Sequence, residues 1–458
     1  MSAKYDVVVV GAGVAGLYAS LHLASLGWRV ALVESKQRDR IGDRVCGDAI
    51  GVHHFTELGL QVPDSLVDHR YRGVRIFSPT GKHSIVVPGE GVSVNRQKFG
   101  QWLLKQALDK GVELFDRHVV VDITLKEDAL KSVKARSISG SSAELEASAF
   151  IDASGYKPAI RSKLPVEWPI SERPYVTDYN IAYREIIELE QSLNIADANY
   201  ADIYIDTEIA PGGYWWLFSK SSNGLVVNVG LGVVMNGSYN PQHMFVKYLK
   251  PEFRGKPLHA GGGVVPTRRP LPTLVWKNVC TVGDAAYTVN PVHGGGIGSS
   301  MLSSHVVSKY LTEALEAGKV SEELMWRANV DYMFSYGAKQ AALDVLRMFM
   351  QKLSNSDYEW IIENRVVDGS LVYDIGTKGD LADKIVHSVL ILVKLIGKPS
   401  LLNRLRSVKN YMDRARELYS ALYPKHPSDF NSWLIRANKL IEEYVDSIGY
   451  TRGSKVKW

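Results

Sequence analysis

The chain has 458 residues, of which 45% are hydrophobic and 22% charged, and its net charge is +5. By length that is about three domain-sized units with apolar material for a large globular core, and the positive balance is too mild to argue for nucleic acid as a partner. The two cysteines, Cys46 and Cys280, form no Cys-x-x-Cys pair and no Cys/His cluster, which excludes a zinc or iron–sulfur framework and a disulfide scaffold and makes a reducing compartment the default.

In chain order, Tyr5–Val10 reads as a buried strand, Gly11-Ala12-Gly13-Val14-Ala15-Gly16 as a glycine turn, Leu17–Gly27 as a helix, and Trp28–Val33 as a second buried strand closed by Glu34. This is the phosphate-binding half of a dinucleotide site. Gly11 permits the tight turn, Gly13 lets backbone approach a pyrophosphate, and Gly16 lets the helix pack close to the strand. The free N–H groups and positive dipole end of that helix face the phosphates. A carboxylate at Glu34 accepts hydrogen bonds from ribose hydroxyls and repels a 2′-phosphate, so FAD or NAD fits better than NADP. The first strand starts within a few residues of Met1, so no signal peptide is expected.

A polar stretch, Ser35–Arg44, leads to Val45-Cys46-Gly47-Asp48-Ala49-Ile50-Gly51. Glycines around a cysteine and an aspartate place backbone near a ligand, or else form a plain turn into a helix over His53–Leu58. Strands are predicted at Gly73–Ser78 and Ser84–Val87, and Asn95-Arg96 opens a helix over Gln97–Lys110. Arg96 either pairs with an acid at the surface or reaches a phosphate. Residues 112–125 and 130–150 alternate like hairpin strands. Phe150–Gly155 is an apolar strand ending in Asp152, two small residues and Gly155, a close-approach turn at the end of a strand where open α/β sheets bind ligands.

From about 165 to 277, short aromatic and β-branched runs predict an antiparallel sheet. On one of these strands Tyr214, Trp216 and Phe218 share a face, which either fills a core or walls an apolar pocket. Asn278–Ala286 is a strand ending in Gly283-Asp284. Asn290–Gly298 is a second glycine loop, feeding a helix over about Ser299–Ala317. Residues 320–458 read as mostly helical. Residues 376–458 hold 15 Lys+Arg against 8 Asp+Glu, which suits either anionic lipid headgroups or a solvated helical face. The apolar run Ile385–Ile396 is too short to span a bilayer.

Three signatures therefore stand in order: GAGVAG with Glu34, IDASG, and VGDAAYTVNPVHGGGIG. Together they resemble the FAD-dependent hydroxylase-like flavoproteins, and DRVCGDAIG with PGGYWWLF resembles the geranylgeranyl reductase family within them. The resemblance implies an α/β (α+β overall) architecture: a Rossmann-type FAD-binding domain over 1–165 and 278–320, with inserted substrate-side segments near 73–95, an antiparallel-sheet substrate domain over 166–277, and a helical C-terminal domain over 321–458. It implies an FAD-dependent oxidoreductase that saturates C=C bonds of geranylgeranyl chains in archaeal membrane ether-lipid precursors or in geranylgeranyl diphosphate. The alternatives are a chlorophyll-type geranylgeranyl reductase and a flavin monooxygenase or halogenase, although no Trp-x-Trp-x-Ile-Pro halogenase motif is present.

Residue by residue, the resemblance implies that Gly11, Gly13, Ala15 and Gly16 cradle the FAD pyrophosphate, with Arg96 near the phosphates. Glu34 would hold the adenosine ribose, Val120 would lie beside the adenine, and Asp284 would bind the ribityl chain. Gly296 and Ile297 would meet the flavin ring, and Cys46, Gly47, Asp48 and Ala49 would line its other side. That placement argues against a Cys46–Cys280 bridge. Tyr214, Trp216 and Phe218 fall on the family's aromatic motif and would bind the isoprenoid, while the motif's last proline is Ser219 here. Candidate proton donors are Cys46, placed beside the flavin, and His54, Tyr214 and His293. The expected partners are an isoprenoid lipid and a reduced electron carrier (NAD(P)H, ferredoxin or another), in the cytoplasm or peripherally on the inner face of the cell membrane.

Overall fold

The structure, a computed structural model, describes residues 3–378 and 398–458; the apolar run Ile385–Ile396 lies outside them. The strands are β1 (Ala3–Val10), β2 (Val30–Val33), β3 (Ala49–Gly51), β4 (Val67–Phe77), β5 (Ser84–Val94), β6 (Glu113–Phe115), β7 (His118–Lys126) and β8 (Ala129–Ser137), then β9 (Ser142–Asp152), β10 (Tyr179–Leu189), β11 (Tyr200–Tyr204), β12 (Tyr214–Ser219), β13 (Val226–Val234), β14 (Gly255–Pro266), β15 (Val275–Trp276) and β16 (Val279–Thr281). They form two eight-stranded sheets.

The first sheet runs β15-β16-β9-β1-β2-β6, with β7 and β8 paired beyond β9. Its centre is parallel: Val7 faces Val30 and Ala149 across the two neighbours of β1. Such a strand is buried on both faces, which is why Val7–Val10 reads as an unbroken apolar run. Helix α1 (Val14–Ser25) covers it, and the helix Ile297–Glu316 packs in turn on α1. The two helices touch directly, with the Ser304 hydroxyl donating to the Ala15 carbonyl (2.9 Å). Asp152, at the end of β9, is spent on the chain itself. Its Oδ1 accepts from Ser154 and its Oδ2 from the N–H groups of Ile160 (2.8 Å) and Arg161 (2.9 Å), so it folds the 153–161 loop back.

The second sheet runs β14-β10-β13-β12-β11-β4-β5-β3. It is mixed rather than purely antiparallel, because β4 arrives from the N-terminal part of the chain and pairs parallel with β11. Strands β4 and β5 are also longer than their sequence suggests. Pro88 and the glycines beside it weaken β5 on propensity, yet it is held by β4 on one side and β3 on the other. The register slips between Tyr71 and Gly73, opposite the proline, since a residue without an N–H is tolerated at a bulge.

Helix α2 (His53–Glu57) follows β3, and α3 (Arg96–Asp109) starts where predicted, with the Asn95 side chain accepting from the Lys98 N–H (3.1 Å). The described C-terminal part is helical. The helix Pro399–Tyr419 carries Leu401, Leu405, Val408, Met412 and Ala415 on one buried stripe, the alternating i+4, i+3 pattern of a core-facing face. A buried ionic cluster joins this region to the sheets. Arg347 meets Asp344 (2.7 Å) and Asp178 (3.6 Å), and Arg268 meets Glu172 (2.9 Å) and Asp178 (3.5 Å). Burial would raise the Asp344 carboxyl, but Arg347, Arg269 and Arg268 outweigh it and hold it at about 2.

Candidate active site

The predicted glycine turn is shaped by contacts that no side chain would permit. Gly11 has φ +102°, and a Cβ there would lie 2.5 Å from the Ala153 carbonyl oxygen. A Cβ on Gly16 would lie 1.8 Å from the Gly11 carbonyl oxygen, so Gly16 brings helix and turn together. Gly13 caps α1 without any side-chain hydrogen bond, which leaves the first N–H groups free. Ala15 stands apart from the other three: its methyl packs toward Gly283, where an added Cβ would come within 2.8 Å.

In front of this turn is a cavity of about 250 Å³, lined by Gly11, Gly13, Glu34, Arg44, Arg96 and Val120 among others. Glu34 holds the turn as well as facing the cavity: its Oε2 accepts from the Ala12 N–H (2.7 Å) and its Oε1 from the Lys36 N–H (2.8 Å). Among the described residues Arg96 makes no salt bridge, and its buried Nε and Nη1 have no hydrogen-bond partner. Arg44 comes within 3.6 Å of where a Gly13 Cβ would sit and 3.4 Å of where a Gly155 Cβ would sit. Two guanidinium groups therefore converge on uncapped helix amides, a donor set that demands an anion. Burial raises the Asp284 carboxyl, opposed by Arg44 and Arg96. Gly296 caps the helix Ile297–Glu316, again with no side-chain bond, and a Cβ on Gly296 would lie 3.6 Å from Asp284 Oδ1. These residues fit FAD: an anion-binding turn, a carboxylate beside the cavity, and a second helix N-terminus with Asp284 at its mouth.

The Cys46–Ala49 turn lies against the second sheet. Cys46 is free and half-buried, while Cys280 is free and fully buried in β16. A Cβ on Gly47 would come within 3.1 Å of the Phe218 ring. Asp48 is buried with φ +66°, in the left-handed region that costs a non-glycine residue about 1 kcal/mol. Lys220 holds it: Nζ lies 2.9 Å from Asp48 Oδ2 and 2.9 Å from Asp68 Oδ2, and donates to Ser93 Oγ (3.0 Å). Ala49 packs on the cluster formed by Tyr71, Trp216 and Phe218.

Tyr214, Trp216 and Phe218 do share one face of β12, while Trp215 and Leu217 face the opposite core. The rings form a row with centroids 6.1 Å apart at each step. Each end of the row is tied to chemistry-bearing backbone. The Tyr214 hydroxyl donates to the His293 carbonyl (2.6 Å), and Phe218 touches Gly47. The face thus runs from the 290–298 loop to the Cys46 turn.

His54 packs over Gly298, where a Cβ would lie 2.2 Å from its ring, and its ring centroid is 4.0 Å from that of His53. Burial, then His53, Lys339 and His293, lower its pKa to about 3. Burial and then Lys339 lower His293 to about 4. His293 Nδ1 accepts from the Gly295 N–H (3.1 Å), which fixes the neutral tautomer with the proton on Nε2. Lys339, which sequence reasoning missed, has a pKa lowered by burial to about 8, with Nζ 4.2 Å from the Tyr336 ring centroid. No motif surrounds it; the only local sign is that it follows a π-helical turn, Met333–Gly337, a distortion common at functional sites. Arg44, Arg184, Lys220 and Asn228 were also missed. The first lies in a stretch read as polar loop, and the others look like ordinary strand and strand-end residues.

The fold and the cavity define an FAD-dependent oxidoreductase. Residues 6–156 match the FAD dependent oxidoreductase family and residues 178–265 the geranylgeranyl reductase catalytic domain. The chain is 36% identical to the digeranylgeranylglycerophospholipid reductase of Sulfolobus acidocaldarius over 97% of its length and 99% of that protein, and it belongs to this family. Digeranylgeranylglycerophospholipid reductase 2 of Methanopyrus kandleri is 26% identical, over 82% of this chain and 96% of that one. Among solved structures, a geranylgeranyl bacteriochlorophyll reductase-like protein of Thermoplasma acidophilum superposes with a TM-score of 0.74 at 21% identity, covering 89% of this chain and all of that one. A myxobacterial chondrochloren halogenase superposes with a TM-score of 0.62 at 18% identity, over 86% and 97%. These two likenesses show the fold alone. No helix among the described residues is long and apolar enough to cross a membrane.

Proposed function

We propose that the chain saturates C=C bonds of geranylgeranyl chains in archaeal membrane ether-lipid precursors, drawing electrons from a reduced carrier such as NAD(P)H or ferredoxin. Geranylgeranyl diphosphate is the second substrate of the same chemistry. The observation that carries this reading is the aromatic face of Tyr214, Trp216 and Phe218, anchored at His293 and abutting Gly47. A geranylgeranyl chain has no polar handle near its double bonds, so its site needs a long apolar wall with few hydrogen-bonding groups. In this reading Gly11, Gly13 and Arg96 hold the FAD pyrophosphate, Glu34 the ribose and Val120 the adenine edge. Asp284, Gly296 and Ile297 face the ribityl chain and ring, while Cys46–Ala49 flank the ring. Residues 166–277 with the segments near 73–95 form the substrate side, and the basic C-terminal part rests near lipid headgroups.

Saturating one double bond takes two electrons and two protons, and bound FAD supplies the hydride. The chain's own residues hold the alkene against the aromatic face, exclude water and supply the remaining proton. The two histidines are neutral near pH 7, because burial places them at about 3 and about 4. The Tyr214 proton is already committed to a carbonyl. That leaves the Cys46 thiol at the turn and the Lys339 ammonium, whose charge is felt at both His54 and His293.

The test is anaerobic. The FAD is reduced with dithionite, digeranylgeranylglyceryl phospholipid is added, and flavin absorbance and product mass are followed. Reoxidation without oxygen, with products two mass units heavier per bond, is expected. A flavin that stays reduced until air is admitted, and then hydroxylates or halogenates its substrate, refutes the proposal.

A further inference from the structure

We propose that Asn228 and Arg184 are positioning residues: together they clamp the Cys46 carbonyl so that the Gly47 N–H is aimed away from the second sheet, as a fixed donor toward an acceptor atom at the reactive edge of the bound flavin. The inference rests on the reading of the Cys46–Ala49 turn as flavin-flanking. Cys46 O accepts from Asn228 Nδ2 (2.8 Å) and from Arg184 Nε (3.2 Å). Both donors come from the second sheet, from adjacent strands whose register sets Arg184 opposite Gly230. One carbonyl oxygen has two lone pairs, and here side chains take both.

In a trans peptide the C=O and the following N–H point in opposite directions, and the described residues contain no cis bond. Fixing the Cys46 oxygen against the sheet therefore fixes the Gly47 N–H pointing off it. That N–H has no protein acceptor among the described residues. Its environment is otherwise closely defined, since Gly47 lies against the Phe218 ring.

Asn228 links three groups at once. Its Oδ1 accepts from Trp216 Nε1 (2.9 Å), and its Nδ2 donates to both Cys46 O and Asp48 Oδ2 (3.1 Å). Indole N–H is donor-only, so the amide orientation is determined by its partners. The same amide thus sets the middle ring of the aromatic wall and two residues, Cys46 and Asp48, of the turn that would flank the flavin. Arg184 adds charge. It is 2% exposed, and its Nη1 meets His259 Nδ1 (2.6 Å) and the His259 carbonyl (3.3 Å). Among the described residues no carboxylate forms an ion pair with it; Asp48 and then Asp43 act on its charge at longer range, Asp43 lying 3.5 Å from His259 Nε2. A buried cation directed at a peptide oxygen polarises that peptide and strengthens its N–H as a donor.

The experiment compares the parent holoenzyme with Asn228→Ala, Arg184→Met and Arg184→Lys. Flavin content, thermal midpoint, flavin reduction potential and anaerobic reoxidation by digeranylgeranylglyceryl phospholipid are measured. Asn228→Ala and Arg184→Met are expected to keep their FAD, to shift the flavin potential, and to lower the saturating reoxidation rate about tenfold or more. Arg184→Lys, which keeps the cation, is expected to recover part of the rate and of the potential. Rates and potentials within twofold and measurement error of the parent, in both truncations, overturn the inference. So does a loss of rate that tracks a loss of thermal midpoint, with the potential unchanged and no recovery in Arg184→Lys. A parent that does not reduce the lipid at all instead refutes the functional reading, and the potential and the flavin spectrum then test the clamp by themselves.

Discussion

Replacing Arg96 with methionine separates the cofactor's contribution from the fold's. Among the described residues Arg96 Nε and Nη1 are buried without a protein partner, and each such orphan, if left unfilled, costs about 1–3 kcal/mol. An apolar side chain of similar length removes that cost, so the apoprotein should be as stable as the parent or more so. On the proposed reading, the same two donors would meet phosphate oxygens of bound FAD. Charge-assisted bonds of this type contribute about 1.5–3 kcal/mol each, so the loss is about 3–6 kcal/mol. At 1.4 kcal/mol per decade, Arg96→Met should weaken FAD binding by roughly 10² to 10⁴. The assay is titration of apoprotein with FAD by flavin fluorescence, alongside urea unfolding of the apoprotein. An FAD affinity within about fivefold of the parent, or an apoprotein that unfolds at much lower urea, would show that the guanidinium belongs to the fold instead.

Gly16→Ala forces its methyl onto the Gly11 carbonyl, where only 1.8 Å is available; α1 must move off the turn, and the protein should purify colourless by flavin absorbance. Lys220→Met leaves Asp48 and Asp68 as uncompensated carboxylates, and Asp48 is almost fully buried. Breaking such a pair from one side costs about 3–5 kcal/mol, read as a drop in the urea midpoint. If Lys339 delivers the proton, alkene-driven reoxidation declines as pH rises through about 8, and Lys339→Met removes that limb; an unchanged pH profile in the variant assigns the proton elsewhere. His54 and His293 set the acid side of stability. Their folded pKa values, about 3 and about 4, lie below the unfolded value of 6.5, so the unfolded chain binds more protons across that window. Stability should fall as pH drops from 6.5 toward 4 and 3, and His54→Phe should flatten that slope in denaturation curves collected against pH.

Much of the cofactor half was legible because its determinants are local. A turn that needs φ +102° at Gly11 and no Cβ at Gly16 leaves its glycines in the sequence at a fixed spacing from the strand before and the acid after. The shared face of Tyr214, Trp216 and Phe218 follows from the two-residue period of a strand. Asp152 shows where such reading stops. The turn after it does meet the cavity, through Ala153 and Ser154, yet its carboxylate is consumed by Ser154, Ile160 and Arg161. Arg96 shows the converse: sequence left it open between a surface ion pair and a phosphate, and only its burial without a partner favours the second.

By itself, then, the sequence determined the strand–turn–helix that receives a dinucleotide, the caps that start its helices, and an aromatic row on one side of a strand. All of these are set by backbone geometry within a few residues. The tertiary structure alone decided what those parts meet. It brought Asn228 to the Cys46 carbonyl across 182 residues and Arg184 across 138, Lys220 to Asp48 across 172, and the Lys339 charge to where both histidines feel it. It also paired β4 parallel to β11, making one sheet from two distant stretches of chain. Those contacts arise from which apolar faces must be buried against one another, and no local spacing encodes a partner chosen that way.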